Sequence, residues 1–362
     1  LSSLAAAGSS LPLCRHFGVC GGCAVQDLPA EDYRNFKRNL IAEALARYGL
    51  GDSVIEDVVP VPPRSRRRAT FKVAKRDGRT ELGFHAAGSH AIVDMRECLV
   101  LTPELFNVAQ GLRQMMAALL QDGEGAELYA VEADNGFDLA IAWKRRPTSN
   151  AIAGIAHWAP KLGVVRVTAN GELLYRAASP EIALGRARVP LPARAFLQPT
   201  RAGELMLQQR VLETVGKARA VVDLFAGCGT FTLPLAERAR VHAVDSDAPM
   251  LEALADGARA TPGLKPISTE KRDLFRRPLE PKELDRFDAA VLDPPRAGAL
   301  SQAKTLNLSG IKRIAYVSCD AASFARDARA LTDGGFRLDR VLGVDQFLWS
   351  AHIELVASFA RD

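Results

Sequence analysis

The sequence predicts an α/β protein: a mostly parallel sheet wrapped by helices in the C-terminal half, with a smaller β-rich domain ahead of it. Three observations carry this. From about residue 192, short apolar runs alternate with amphipathic helical ones, the pattern of a parallel sheet covered on both faces. Between 70 and 190, β-like runs follow one another with one helical stretch among them. A Pro-rich stretch, VVPVPPRSRRR, separates both from an N-terminal segment rich in cysteine.

The 362 residues suffice for two or three domains with sizeable cores. At 48% hydrophobic and 25% charged, the composition is that of an ordinary globular protein. No run of 18 apolar residues occurs, so no membrane span is expected. The opening LSSLAAAGSSLPL has no basic leader, which argues against a secretory signal and for a cytoplasmic protein. The first residue is Leu, so the natural start need not be included.

In chain order, the first element is the cluster CRHFGVCGGC, with Cys14, Cys20 and Cys23 spaced C-x5-C-x2-C. After 74 further residues comes Cys98. Without secretion, disulfides are a poor default, and four thiolates fit either tetrahedral zinc or a four-iron cluster. Spacing alone does not choose between them. Next, Phe36, Leu40, Ile41, Leu45 and Tyr48 recur at helical spacing, and Gly49 stops the pattern. Residues 64–79 hold eight Arg or Lys and one Asp, a local balance of +7 in a chain of net charge +5. So concentrated a charge suggests a polyanion partner, most simply nucleic acid; the bland alternative is a solvated loop. The β-like runs TFKVAK, HAIVDM, DLAIAWK, GVVRVTA and GELLYRA follow, with a helix near 103–121. The predicted division is therefore 1–60, a cysteine segment and its helix; 61–191, a β-rich domain; and 192–362, the α/β domain.

In an open α/β sheet, ligands bind beyond the carboxyl ends of the strands. Asp223, Asp245 and Asp293 each close a predicted strand, and Cys319 follows IAYVS. Gly227 and Gly229 in DLFAGCGTF permit close backbone approach to a ligand, and Asp245, 22 residues after Asp223, suits ribose hydroxyls. The third glycine of a dinucleotide fingerprint is missing, so S-adenosylmethionine fits better than NAD. Taken alone, Asp245 is also a plausible helix N-cap, Cys319 a buried apolar cysteine and Glu354 a solvent-facing strand residue. A helix N-terminus near Cys319 is expected to lower its pKa.

DLFAGCGTF, VLDPPRAG, YVSCDAASFARD and HIELV, in this order, resemble the S-adenosylmethionine-dependent RNA uracil-5-methyltransferases over 198–354. The resemblance implies a Rossmann-like methyltransferase domain, a β-rich RNA-binding domain and an N-terminal iron–sulfur segment. It implies Cys319 as nucleophile and Glu354 as base. It further implies Gln198, Phe225, Thr230, Asp245 at the ribose, Asp273 near the adenine and Asp293 at the reacting centre as cofactor-binding residues. Arg64, Arg66, Arg67, Arg68, Lys72 and Phe196 are the expected RNA contacts. Three departures stand out: Thr230 where Asn is usual, Ser-Cys-Asp-Ala-Ala for Ser-Cys-Asn-Pro, and Gln-Pro-Thr for Gln-Val-Asn. None removes a catalytic group. The resemblance also implies a [4Fe-4S] cluster, rather than zinc, on Cys14, Cys20, Cys23 and Cys98. That set favours 23S rRNA or its precursor as partner, with a monomeric enzyme expected. The alternatives are a transfer-RNA enzyme and a non-catalytic, redox-sensing RNA-binding protein. Cys228 carries no assignment beyond a small buried thiol.

Overall fold

The computed structural model describes residues 13–362. The opening twelve residues, read above for a leader, lie outside them. No helix among the described residues is long and apolar enough to cross a membrane.

The C-terminal half forms an eight-stranded sheet. Its strands are β11 (Ala220–Leu224), β12 (Arg240–Asp245), β13 (Ile267–Lys271), β14 (Ala289–Leu292), β15 (Arg313–Ser318), β16 (Arg337–Asp345) and β17 (Glu354–Ala360), joined by β1 (Val59–Pro60) from far upstream. Their order is β1-β16-β17-β15-β14-β11-β12-β13. All neighbours are parallel except β17, which runs antiparallel to both β15 and β16. Every residue of β11 and β14 is buried, as expected of parallel strands covered on both faces. Helices α4 (Arg201–Val215), α5 (Thr232–Ala236), α6 (Ala248–Arg259), α7 (Pro281–Leu284), α8 (Leu300–Asn307) and α9 (Ala321–Asp333) supply the cover. Local chemistry starts them: the Thr200, Asp247 and Asp320 side chains each accept a backbone N–H of the first turn of α4, α6 and α9.

The helix expected after the cysteines is α1 (Ala30–Arg47). It packs on α9 and β16, and β1 extends the same sheet, so residues 30–60 join the C-terminal layer rather than forming a unit with the cysteine loop. Its buried face is Lys37, Ile41, Ala44 and Leu45, while Tyr48 lies beyond the last turn and is exposed.

The middle of the chain is a seven-stranded sheet in the order β4-β3-β2-β5-β6-β7-β8. It comprises β2 (Arg68–Arg76), β3 (Arg79–His85), β4 (Ile92–Asp94), β5 (Gly125–Ala133), β6 (Gly136–Trp143), β7 (Val164–Ala169) and β8 (Glu172–Arg176), packed on α2 (Pro103–Leu119) and α3 (Ser149–Trp158). Sequence periodicity missed α3, because its Ala- and Ile-rich run buries only Ala151 and Ile155. A hairpin, β9 (Glu181–Leu184) and β10 (Ala187–Pro190), packs on α6 and shares an apolar cluster with Val131 of β5, which ties the two sheets together.

Candidate active site

The acids predicted at strand ends meet on one rim. Beyond β11 the chain turns through Phe225, a non-glycine residue at φ 63°, and the N–H groups of Phe225 and Ala226 both donate to the carbonyl of Val244. Left-handed backbone at a bulky residue is uncommon and collects at functional loops. Gly229, at φ 96°, has no room for a side chain, since a Cβ there would lie 2.9 Å from Leu254. Gly227 N–H donates to Asp245 Oδ2 at 2.8 Å, and Asp245 Oδ1 accepts from Asp247 N–H. Asp247, not Asp245, caps α6, so the carboxyl of Asp245 braces the glycine loop instead.

Asp223 is fully buried. Its Oδ2 accepts from Thr232 Oγ1 at 2.5 Å, and its Oδ1 has no partner. Burial pushes its pKa up to about 7, and Asp293 and Asp245 add to the shift. Asp293 is pushed up by burial and by Asp245, against the hydrogen bond from Gln198. Among the described residues none of the three acids forms an ion pair. An orphaned carboxyl oxygen in a crowd of unneutralised acids fits a cationic ligand such as a sulfonium cofactor. Thr230 lies in the same loop, partly buried, and its carbonyl accepts from Gln208. Asp273 uses Oδ1 to cap its own turn at Phe275 and Arg276, and the Phe275 ring stands 5.5 Å from that of Phe225, which brings the turn alongside the loop.

The reactive corner lies where β15 meets β17. The register that sets Ser318 opposite Leu355 brings Cys319 and Glu354 to the same end of this pair. Glu354 is buried, not solvent-facing. Gln346 Nε2 donates to Glu354 Oε2 at 3.0 Å and to Gln198 Oε1 at 2.7 Å, and Gln198 Nε2 donates to Asp293 Oδ2 at 3.2 Å. Two amides therefore connect the buried carboxyl of Glu354 to the partly buried one of Asp293. Burial, then Asp293, raises the Glu354 pKa, opposed by Gln346 and Arg68. The Cys319 thiol is pushed up to about 11 by burial and by the Glu354 and Asp293 charges, with Arg296 pulling the other way. The lowering expected from the helix terminus is thus overturned: the thiol is half-buried beside two acids, and burial first, then their charge, raises it. Sequence reasoning missed Gln346, Arg296 and the orphaned oxygen of Asp223. Arg296 lay inside a quoted motif, but an isolated Gln in a loop carries no signal.

The basic segment divides on folding. Arg67 is buried in an ion pair with Glu204 at 2.6 Å, and its Nε donates to the Gln198 carbonyl, so it joins the two domains and is withdrawn from phosphates. Lys72 pairs with Glu127. Arg64 is exposed. Arg68 lies over the Phe196 ring at 4.5 Å, and Phe196 is 56% exposed. Arg66 lies 6.0 Å from the Phe347 ring. The result is aromatic faces backed by guanidinium groups rather than a solvated basic strand.

Cys14, Cys20, Cys23 and Cys98 converge on one cavity of 570 Å³, which Arg66, Arg68, Arg296, Phe347, Leu348 and residues 350–352 also line. All four are free thiols. Burial raises Cys14, Cys98 and Cys23, the last to about 12, and the other thiols add to each shift. Gly21 lets the loop press on the second sheet, since a Cβ would lie 3.0 Å from the His85 carbonyl. No three acidic, His or Cys side chains among the described residues are close enough to clasp a single ion. Cys228 is buried in an apolar cluster away from this set.

Comparison with known proteins agrees with this geometry. A family model described as tRNA (uracil-5-)-methyltransferase matches residues 264–361. An RNA methyltransferase of Brucella suis is 43% identical, covering 97% of this chain and 84% of that protein. The 23S rRNA (uracil(1939)-C(5))-methyltransferase RlmD of Chromohalobacter salexigens is 32% identical over 97% of this chain and 76% of its own length. The fold matches that of the Pyrococcus abyssi tRNA (uracil-54, C5)-methyltransferase, solved in complex with S-adenosyl-L-homocysteine, with a TM-score of 0.74 at 22% identity over 94% of this chain and 85% of that one.

Proposed function

Because the chain belongs to the S-adenosylmethionine-dependent RNA uracil-5-methyltransferase family, we propose that it methylates C5 of one uridine in 23S rRNA through a covalent bond between Cys319 and C6. The observation that carries this is the meeting of Cys319 and Glu354 at the end of β15 and β17, linked through Gln346 and Gln198 to the acidic crevice.

C5 of uracil is a weak nucleophile. Addition of the Cys319 thiolate to C6 forms the S–C6 bond and moves the C5=C6 pair toward O4 as an enolate, which makes C5 nucleophilic. S-adenosylmethionine, when bound, would supply the methyl group as a sulfonium substituent: the methyl goes to C5 and the S–CH3 bonding pair stays on sulfur. Glu354 then takes the proton from C5, the C5=C6 bond reforms and the S–C6 pair returns to sulfur. Gln198, Phe225, Thr230, Asp245, Asp273 and Asp293 hold the cofactor, with Asp223 behind them. Arg296 favours the thiolate. The target uridine must leave its stack to reach Cys319. Phe196 backed by Arg68 offers a face for stacking, and Arg64 and Arg66 offer charge to flanking phosphates.

The four N-terminal thiols hold a [4Fe-4S] cluster in this reading. Their place around one cavity is what this reading rests on, and the cluster would tie the cysteine loop to the second sheet. Ribosomal rather than transfer RNA is supported by those cysteines and by similarity to the RlmD protein over nearly the whole chain. Incubation with 5-fluorouridine-substituted RNA and the methyl donor should trap a denaturant-stable complex that Cys319→Ala abolishes. Mass spectrometry of ribosomal and transfer RNA from cells with and without the gene should show one uridine losing its methyl group in the large ribosomal RNA. Loss in transfer RNA instead would overturn the ribosomal assignment.

A further inference from the structure

The loop 346–353 connects β16 to β17, with Gln346 at its start and Glu354 just beyond its end. It is irregular and includes Trp349 at φ 55°, a conformation that its own sequence does not favour. Its anchors come from more than 300 residues away. Lys37 on α1 is fully buried; its Nζ pairs with Asp345 Oδ1 at 2.8 Å and donates to the carbonyls of Phe347 at 2.9 Å and His352 at 2.7 Å. Tyr33, one turn earlier, donates to Asp345 Oδ2 at 2.5 Å and accepts from Trp349 N–H at 2.8 Å. The N–H groups of Ala24 and Val25, just after Cys23, both donate to the Trp349 carbonyl. One buried ammonium thus grips the loop near both ends, and one hydroxyl and two amides grip its middle. Removing the ammonium leaves a buried carboxylate and two carbonyls without their partner, a penalty large enough to reshape so short a loop.

We infer that Lys37 and Tyr33 are positioning residues for Glu354: through loop 346–353 they aim Gln346 and the carboxyl of Glu354 at the reactive corner, making the N-terminal segment part of the proton-removal apparatus. The inference rests on the reading of Glu354 as the base. It concerns the last half of the reaction, because the anchors' hydrogen bonds run to Asp345 and to loop 346–353, whereas Cys319 follows β15.

That asymmetry supplies the test. On 5-fluorouridine RNA there is no C5 proton to remove, so the adduct accumulates whether or not the base is aimed. On ordinary uridine RNA the adduct accumulates only when proton removal is slow. Lys37→Met in the full chain is expected to trap fluorinated RNA within ~3-fold of the wild-type rate. Its turnover on uridine RNA should fall by ~30-fold or more, with a denaturant-stable protein–RNA complex appearing there. Tyr33→Phe, which removes one oxygen and keeps the helix packing, should show the same split at smaller scale. Equal losses of trapping and turnover in both variants, or unchanged turnover in Tyr33→Phe, would overturn the inference. Glu354→Gln is the reference: if it builds up no adduct on uridine RNA while the wild type traps fluorinated RNA, the assignment of the base is what fails, and the inference falls with it.

Discussion

Cys319 and the set formed by Cys14, Cys20, Cys23 and Cys98 are the same side chain in two kinds of company. Burial raises the pKa of Cys319 and of three thiols in the set. In the N-terminal loop the other charges raising each thiol include its fellow thiols. A cationic group shared among them would relieve several at once, which is what the proposed cluster would supply. At Cys319 the opposing charges are two carboxyls, Glu354 and Asp293, which can be protonated or matched by a cation, and Arg296 already pulls the other way. A single thiol whose obstacles can be lifted transiently suits a nucleophile. Chemistry is decided less by the cysteine than by which groups share its field.

The contrast is broken most directly by exchanging the two losses. Cys319→Ala should remove methylated uridine and the 5-fluorouridine adduct together, a rate loss on the order of 10³-fold or more, with melting temperature and RNA affinity preserved. Cys98→Ser should do the reverse: bound iron and several degrees of melting temperature disappear, while the folded fraction still forms the adduct. Trapping lost equally in both would mean that the two thiol sites are not separate. Next in size is Glu354→Gln, expected to slow turnover by about 10²- to 10⁴-fold while leaving adduct formation with fluorinated RNA intact.

Arg296→Ala sharpens the comparison on the Cys319 side. The guanidinium favours the thiolate, so removing it moves the thiol further above its present value. Peptide-resolved alkylation should show the pH profile of Cys319 displaced upward, with the profiles of Cys14 and Cys23 less affected. A shift downward would contradict the electrostatic account.

The smallest effect is on stability. Asp223, Asp293 and Glu354 are acids whose pKa values are raised in the folded state. Between the ordinary carboxylate range near 4 and about 7, the value for Asp223, the native protein holds more protons than the unfolded chain. Ligand-free protein should therefore lose stability as pH rises through this window, by at most about 1.4 kcal/mol per pH unit for each group. Thermal melts from pH 5 to 8 should show a falling midpoint that flattens when a cationic ligand fills the crevice. A midpoint that rises with pH would break the picture of an unneutralised acidic rim.

Much of the site was legible because its residues occur where the chain pattern gives them meaning. Asp223, Asp245 and Asp293 ended apolar runs, Cys319 followed one, and the glycines of DLFAGCGTF broke the helical and strand periods. Gln346 could not be found this way, since its role exists only once β16 returns beside β17. Arg67 was legible as a charge but not as a buried one, because Glu204, its partner, is 137 residues away. Lys37 carried no signal of its own, since periodicity would never bury an ammonium without knowledge of Asp345.

By itself, then, the sequence determined the alternation of strands and helices, the rim on which the acids fall and the two groups of cysteines, because these depend on short-range periodicity and on the chemistry of single residues. Only the tertiary structure decided that burial and two carboxyls raise the Cys319 thiol, that the basic segment turns partly inward, and that an N-terminal lysine fixes the loop before Glu354. Each of these is an interaction between groups apart in sequence and together in space under low dielectric, where burial and neighbouring charge outweigh intrinsic preference.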